Sequence, residues 1–299
     1  MSSHLHRHVI PHLSLPMEAR VLQLTEEVWI PYRRGEEILD YLQELLMMNR
    51  RARPHSALLV GPTNNGKSFI LKEFLLRNPS PRCLPSEADV APIVYIQAPE
   101  EPKESTFFDA ILGQFSTPCR PGDPVNQKRY HALQILKGVG TKILIIDEIQ
   151  HILAGDNKRQ RVMLNLIKYL SNELGISIVA AGVETALNAI QIDNQVANRF
   201  LPIPLPRWKY DEEYRKLLAT FEAVIPLALP SAFASREMSY VLWEQSGGLI
   251  GELSTLLATA ARFAIKNGEE RITIEILNAI DWTAPGDRRR KTELTFEPY

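Results

Sequence analysis

The stretch Ala57-Leu58-Leu59-Val60-Gly61-Pro62-Thr63-Asn64-Asn65-Gly66-Lys67-Ser68 leaves this chain few possible folds. Its apolar start reads as a buried strand, Gly61 and Gly66 bound a tight turn, and Phe69-Ile70-Leu71-Lys72-Glu73-Phe74-Leu75 continues in a helical pattern. Strand, loop and helix in that order fit G-x-x-x-x-G-K-[ST], in which backbone N–H groups wrap an anion at the positive end of the helix. Gly61, Pro62, Thr63, Asn64, Asn65, Gly66, Lys67, Ser68 and Phe69 are therefore candidate contacts to a nucleoside triphosphate. Lys67 would reach the β- and γ-phosphates, and the Ser68 hydroxyl would serve Mg²⁺.

A second half of such a site follows at Ile143-Leu144-Ile145-Ile146-Asp147-Glu148, a β-branched run that ends in two carboxylates. Strands buried on both faces have this composition, and their C-terminal ends open onto the ligand. Asp147 is expected to hold Mg²⁺ through water, and Glu148 to orient or activate the attacking water. Two acids after a strand can also cap the next helix, but the upstream loop favours the site.

The length of 299 residues suits one large core and a smaller satellite domain. A net charge of -1 excludes a globally basic nucleic-acid binder, although not a local basic face. Cys83 and Cys119 stand alone without metal-ligand spacing, which suggests ordinary reduced thiols. No apolar run reaches the length of a membrane span and no signal-peptide core opens the chain, so a cytoplasmic protein without a membrane partner is expected.

Residues 1–27, with His4, His6, His8 and His12, read as a flexible solvated arm. In Val28-Trp29-Ile30-Pro31-Tyr32, an apolar segment ahead of the loop, Ile30 and Tyr32 are candidates for an adenine pocket, with core packing as the alternative. The stretch of about 98–141 is longer than a strand-helix-strand crossover requires and reads as inserted helices. Its Lys103, Lys128 and Arg129 would either meet nucleic-acid phosphates or line a solvated face. Ile176-Ser177-Ile178-Val179-Ala180-Ala181-Gly182 is another buried strand, after which Thr185, or its rival Glu184, would sense the γ-phosphate. Arg199, ahead of Phe200 and a Pro-rich strand, is a permanently charged fork able to reach a neighbouring subunit's γ-phosphate; a salt bridge at a helix end is the other reading.

This order of loop, acidic strand, sensor strand and arginine resembles the AAA+ ATPases. More narrowly, Val60 to Ser68, Ile145-Ile146-Asp147-Glu148-Ile149-Gln150, Arg159-Gln160-Arg161-Val162-Met163-Leu164-Asn165 and Ala197-Asn198-Arg199-Phe200 resemble the TniB/TnsC transposition regulators over roughly residues 25 to 282. The resemblance implies an α/β fold, an AAA+ P-loop core (28–206) of parallel sheet flanked by helices, a C-terminal helical lid (207–282) and a basic tail (283–299). It implies an ATPase that uses ATP and Mg²⁺ and assembles as a ring or helical filament on duplex DNA. Such a protein links a TniQ-type target selector to a transposase in the bacterial cytoplasm, with Lys67, Ser68, Asp147, Glu148 and Arg199 in their family roles. DNA contacts would map to Lys103 and Thr106 on the inserted helices. A helicase loader or insertion-sequence helper ATPase is the alternative, and a small-molecule kinase a more distant one. The chain departs from initiator-type relatives at Ser246-Gly247-Gly248-Leu249-Ile250-Gly251-Glu252, where they often carry a lid arginine and this chain has none.

Overall fold

A computed structural model of the chain describes residues 4–49, 54–80, 90–115, 122–155, 157–192 and 194–288. Cys83, Cys119 and the basic residues Arg289, Arg290 and Lys291 lie outside them. In chain order, a 3-10 helix (Ile10–Ser14) is followed by α1 (Met17–Gln23), α2 (Arg33–Met47), β1 (Ser56–Val60), α3 (Lys67–Arg77), β2 (Ile93–Gln97), α4 (Glu104–Gly113) and α5 (Val125–Gly138). Next come β3 (Ile143–Asp147), α6 (Asn157–Leu174), β4 (Ser177–Gly182), α7 (Glu184–Gln191), α8 (Asn194–Ala197) and β5 (Phe200–Pro204). Four further helices follow: α9 (Glu212–Val224), α10 (Arg236–Ser246), α11 (Ile250–Asn267) and α12 (Ile274–Ala279).

The chain divides into two compact units. One comprises Arg34–Thr63 and Lys67–Pro206 and contains a five-stranded sheet in the order β2-β3-β4-β1-β5, every described pairing parallel. Every residue of β3 and β4 is buried, as strands covered on both faces require. β5 carries Pro202 and Pro204, which cannot donate ladder hydrogen bonds, and it takes the sheet edge where that costs least. Leu58, Ile96, Leu144, Ile146, Ile178 and Ala180 share one core with Phe107, Phe108, Ile111 and Leu112 of α4 and with Ala132 and Leu136 of α5. The helices between β2 and β3 thus pack onto the sheet core.

The other unit comprises Met1–Arg33, Asn64–Gly66 and Arg207–Tyr299 and is helical in its described part. Its helices are bounded by side-chain caps: Asp211 accepts from Tyr214 N at 3.0 Å, Ser235 from Met238 N at 3.4 Å, and Thr273 from Ile276 N at 3.3 Å. Gly247 and Gly268 end α10 and α11 with left-handed φ of 59° and 73°. Ile30 is buried in this unit's core with Leu218, Leu256 and Leu277, and Tyr32 packs edge-on to Trp208 with ring centroids 5.2 Å apart.

The solvated arm expected for residues 1–27 is corrected over the described residues. His6 N donates to Ala223 O at 2.9 Å, and Arg20 is 8% exposed. The Arg20 guanidinium forks onto both carboxylate oxygens of Glu270 at 2.7 and 2.6 Å and also donates to Pro226 O at 2.8 Å. Glu270 has a left-handed φ of 55° and accepts from Ala228 N at 3.1 Å. An amphipathic helix with one long cation found a partner about 250 positions away, which no local pattern encodes.

The bond from Arg20 holds the Glu270 carboxyl below its usual range, against the opposing pull of burial. A depressed carboxylate contributes stability that is fully present above its unfolded pKa of about 4.3 and is lost as pH falls through the folded value. Arg20→Ala should destabilise the helical unit by about 2 kcal/mol at neutral pH. In urea melts the gap between wild type and variant should shrink below about pH 4; a gap independent of pH would contradict the assignment.

Candidate nucleotide site

Parallel pairing sends β1, β3 and β4 out of the sheet at the same edge. Gly61 N donates to Gly182 O at 3.2 Å, Ile149 N to Ala181 O at 2.9 Å, and Ala98 N to Asp147 O at 2.8 Å, so the segments leaving four strands are stitched together there. β1 and β3 are separated by β4 alone, and Gly61 lies two residues beyond the level of Asp147, which places the two roughly 12 Å apart. Position 182 is tight, since a Cβ would lie 2.8 Å from Gln150 Oε1 and 3.0 Å from Ile149 Cγ2 and would press on the Gln150 side chain.

Between β1 and α3 the backbone turns through left-handed φ at Asn64 (59°) and Gly66 (85°). Successive N–H groups in such a turn form a concave anion cradle, and α3 begins at Lys67 to add its positive end. Lys67 is 4% exposed, and its Nζ donates to Gly61 O at 2.9 Å and Pro62 O at 2.8 Å. Burial pushes its pKa down, whereas Glu148 and Asp147 pull it up, so the cation and both carboxylates share one electrostatic neighbourhood.

Asp147 is 2% exposed; its Oδ1 accepts from Glu148 N and its Oδ2 from Tyr95 Oη, both at 2.9 Å. Burial and the adjacent Asp147 raise the Tyr95 pKa, keeping the phenol a donor. Glu148 adopts a left-handed φ of 53°, rare for a residue with a Cβ, and its carboxylate accepts from Gln150 Nε2. Gln150 Oε1 in turn accepts from Val183 N at 3.4 Å, which ties the glutamate to the end of β4. Thr185 and Glu184 are both exposed in the first turn of α7. Thr185 lines an open cavity of about 450 Å³ with Gln150, His151 and Gln160.

A buried carboxylate at a strand end and a serine hydroxyl are oxygen donors of the kind taken by a hard cation that keeps most of its waters, so the donor chemistry of Asp147 and Ser68 fits Mg²⁺. Tyr95 and Gln150 were not picked out by sequence reading. Tyr95 gave no signal because its partner is on the adjacent strand, whereas Gln150, two residues after Glu148, could have been suspected.

Arg199 is at the other edge of the sheet. Ser56 pairs with Phe200 and Val60 with Pro204, so Arg199 sits just before the start of β1 and Gly61 beyond its end, a separation of roughly 20 Å. Its Nη1 donates to Asn172 Oδ1 at 2.5 Å.

The inserted helices correct two of the proposed DNA contacts. Lys128 is 4% exposed and bonded to Asp109 at 2.7 Å. Arg129 pairs with Glu104 at 2.5 Å and lies against the rings of Phe108 and Tyr169. Both cations join α5 to α4, because a long side chain at a helix–helix seam is held best by a carboxylate opposite. Lys103 remains exposed beside Glu101, and the exposed Thr106 hydroxyl donates to Lys103 O at 2.9 Å.

The family model described as "Bacterial TniB protein" matches residues 20–210, well over half of the chain. The chain belongs to the TniB family. Among solved structures, this TniB-family chain is similar to the Aeropyrum pernix ORC2 protein in its ADPNP-ADP complexes (TM-score 0.61, 16% identity, covering 85% of this chain and 69% of that one). It is also similar to Cdc6p from Pyrobaculum aerophilum (TM-score 0.61, 18% identity, 92% and 72%) and to the Aeropyrum pernix ORC1 protein in complex with DNA (TM-score 0.55, 16% identity, 93% and 72%). Among curated proteins none matches. At these identities the likeness is one of fold, the α/β AAA+ P-loop fold with its parallel sheet flanked by helices.

Because Lys128 serves packing, Lys128→Ala should destabilise the chain by about 1–2 kcal/mol, whereas Lys128→Met, which keeps the apolar stem, should cost under about 1 kcal/mol. Denaturant melts of both variants test this; equal melts with weakened DNA binding would restore Lys128 as a phosphate contact.

Proposed function

We propose that this chain is an ATP-driven assembly switch acting in transposition: it binds ATP between two copies of itself, oligomerises as a ring or filament on duplex DNA, and disassembles after hydrolysis. The observation that carries the proposal is the split of the charged groups between the two edges of the sheet. Lys67, Asp147 and Glu148 converge at one edge, and Arg199 stands roughly 20 Å from the loop at the other. One copy alone holds an incomplete site; a second copy presenting its Arg199 edge would complete it. ATP would then stabilise the assembled state by mass action, because only that state uses all its contacts.

In this reading Lys67 binds the β- and γ-phosphates, and Glu148, positioned by Gln150, orients the water that attacks the γ-phosphate. Arg199 of the neighbour offsets the charge that develops on the transferred phosphoryl group. Bound Mg²⁺, held by Ser68 and through water by Asp147, supplies charge neutralisation on the phosphate oxygens. Tyr95 keeps Asp147 in place, and Thr185 senses the γ-phosphate from the cavity beside Gln150. DNA binding is proposed at the N-terminal end of α4, with Lys103 exchanging its exposed Glu101 partner for a phosphate. Family membership supports this, as does the DNA complex of the structurally similar ORC1 protein. Phosphate contacts carry no sequence information, so a TniQ-type selector would choose the target and a transposase would receive it.

The decisive experiment mixes two inactive variants. Lys67→Ala and Arg199→Ala should each lose at least about 100-fold in phosphate release on duplex DNA, and an equimolar mixture should recover part of it through interfaces joining an intact loop to an intact arginine. A mixture as inactive as either variant alone would refute completion in trans. ADP formation that requires an acceptor molecule and releases no inorganic phosphate would instead indicate a kinase, because the γ-phosphoryl group then ends on the acceptor.

A further inference from the structure

The helical unit contains a charge arrangement that the nucleotide reading does not use. Glu252, in the first turn of α11, is 6% exposed, and its Oε1 accepts from Nδ2 of loop residue Asn64 at 2.9 Å. Gly251 N donates to Asn64 O at 3.1 Å, and a Cβ on Gly251 would lie 2.0 Å from Asn64 Oδ1, so glycine alone allows this approach. A buried carboxylate is thus bonded directly to the turn that is read as a polyphosphate cradle. Left uncompensated, its charge would oppose a polyanion there.

Compensation comes from the end of the described chain. The Arg288 guanidinium forks onto both oxygens of Glu252, with Nη1 to Oε1 at 2.9 Å, and its Nε donates to Thr283 O at 3.2 Å. It lies 5.5 Å from the centre of the Trp282 ring, whose Nε1 donates to Gln245 O at 3.0 Å. Burial would raise the Glu252 pKa, but the bonds from Arg288 and Asn64 outweigh it and hold the group ionised. The glycine-rich turn that lacks an arginine therefore receives one from 36 positions further on.

We propose that Arg288 is a positioning residue of the nucleotide site: by neutralising Glu252 it lets the Asn64 turn accept a polyphosphate, so that displacement of the tail segment 282–288 lowers nucleotide affinity. This rests on the reading of the loop as an ATP site. It makes the tail a control point, since a partner that captures Arg288 would leave Glu252 charged against the ligand and favour nucleotide release.

Binding of a fluorescent ATP analogue to the full chain, measured for wild type, Arg288→Ala, Arg288→Lys and the double variant Glu252→Gln/Arg288→Ala, tests the inference. Arg288→Ala should bind about tenfold more weakly, Arg288→Lys in between, and the double variant within about threefold of wild type, because removing the stranded carboxylate removes the need for its partner. Unchanged binding in Arg288→Ala overturns the inference and leaves the ATP reading standing. A double variant as weak as Arg288→Ala also overturns it, since Arg288 would then act by another route. A wild-type chain that binds no nucleotide overturns the ATP reading and this inference together.

Discussion

Parallel pairing of β1 with both β4 and β5 determines where the functional groups of this chain end up. Parallel strands share one exit edge, so the loop after β1, the acids after β3 and the turn after β4 are gathered there by hydrogen bonds between backbones. The same pairing brings the residue before β5 to the opposite edge, which separates Arg199 from the loop of its own chain. The register of β5 on β1 sets that separation, and the central strands β3 and β4 are buried throughout. The case for a second copy therefore rests on backbone topology more than on any side-chain contact.

Buried charge is a second theme. Lys67 is satisfied by carbonyls and two nearby carboxylates, Arg20 by Glu270, Lys128 by Asp109 and Glu252 by Arg288. Removing one member of such a pair strands the other in a poorly solvated place, so each pair is sensitive to single substitutions even where its net contribution to stability is small. These pairs differ in what they hold. Arg20 and Lys128 fasten helices, whereas Lys67 and Glu252 touch a loop with left-handed turns.

The strand-loop-helix and the acidic strand of the candidate site were the most legible part of the sequence. Its loop and its acidic strand are local patterns in which residue type and spacing follow from backbone chemistry, as in the left-handed Gly66 and the apolar run ahead of Asp147. The cap at Thr273 is of the same local kind, because a threonine that accepts from an N–H three residues on needs no distant partner. Long side chains were harder to read. Lys128 and Arg129 looked like free cations until α4 supplied Asp109 and Glu104, and Val162, which fits an apolar helical stripe, is 44% exposed.

By itself the sequence determined the strand-loop-helix around Gly61 to Ser68, the carboxylates after β3 and the helical character of the C-terminal third, since each depends on interactions within a few residues. Only the tertiary structure decided that residues 4–27 are ordered, that Ile30 belongs to the helical core, that Tyr95 and Gln150 hold the two acids, and that Arg288 supplies the cation missing from the glycine-rich turn. The reason is common to all four. Each partner is chosen by proximity in space, and the loop-closure entropy of bringing distant residues together is met by burial of the whole core rather than by the pair itself.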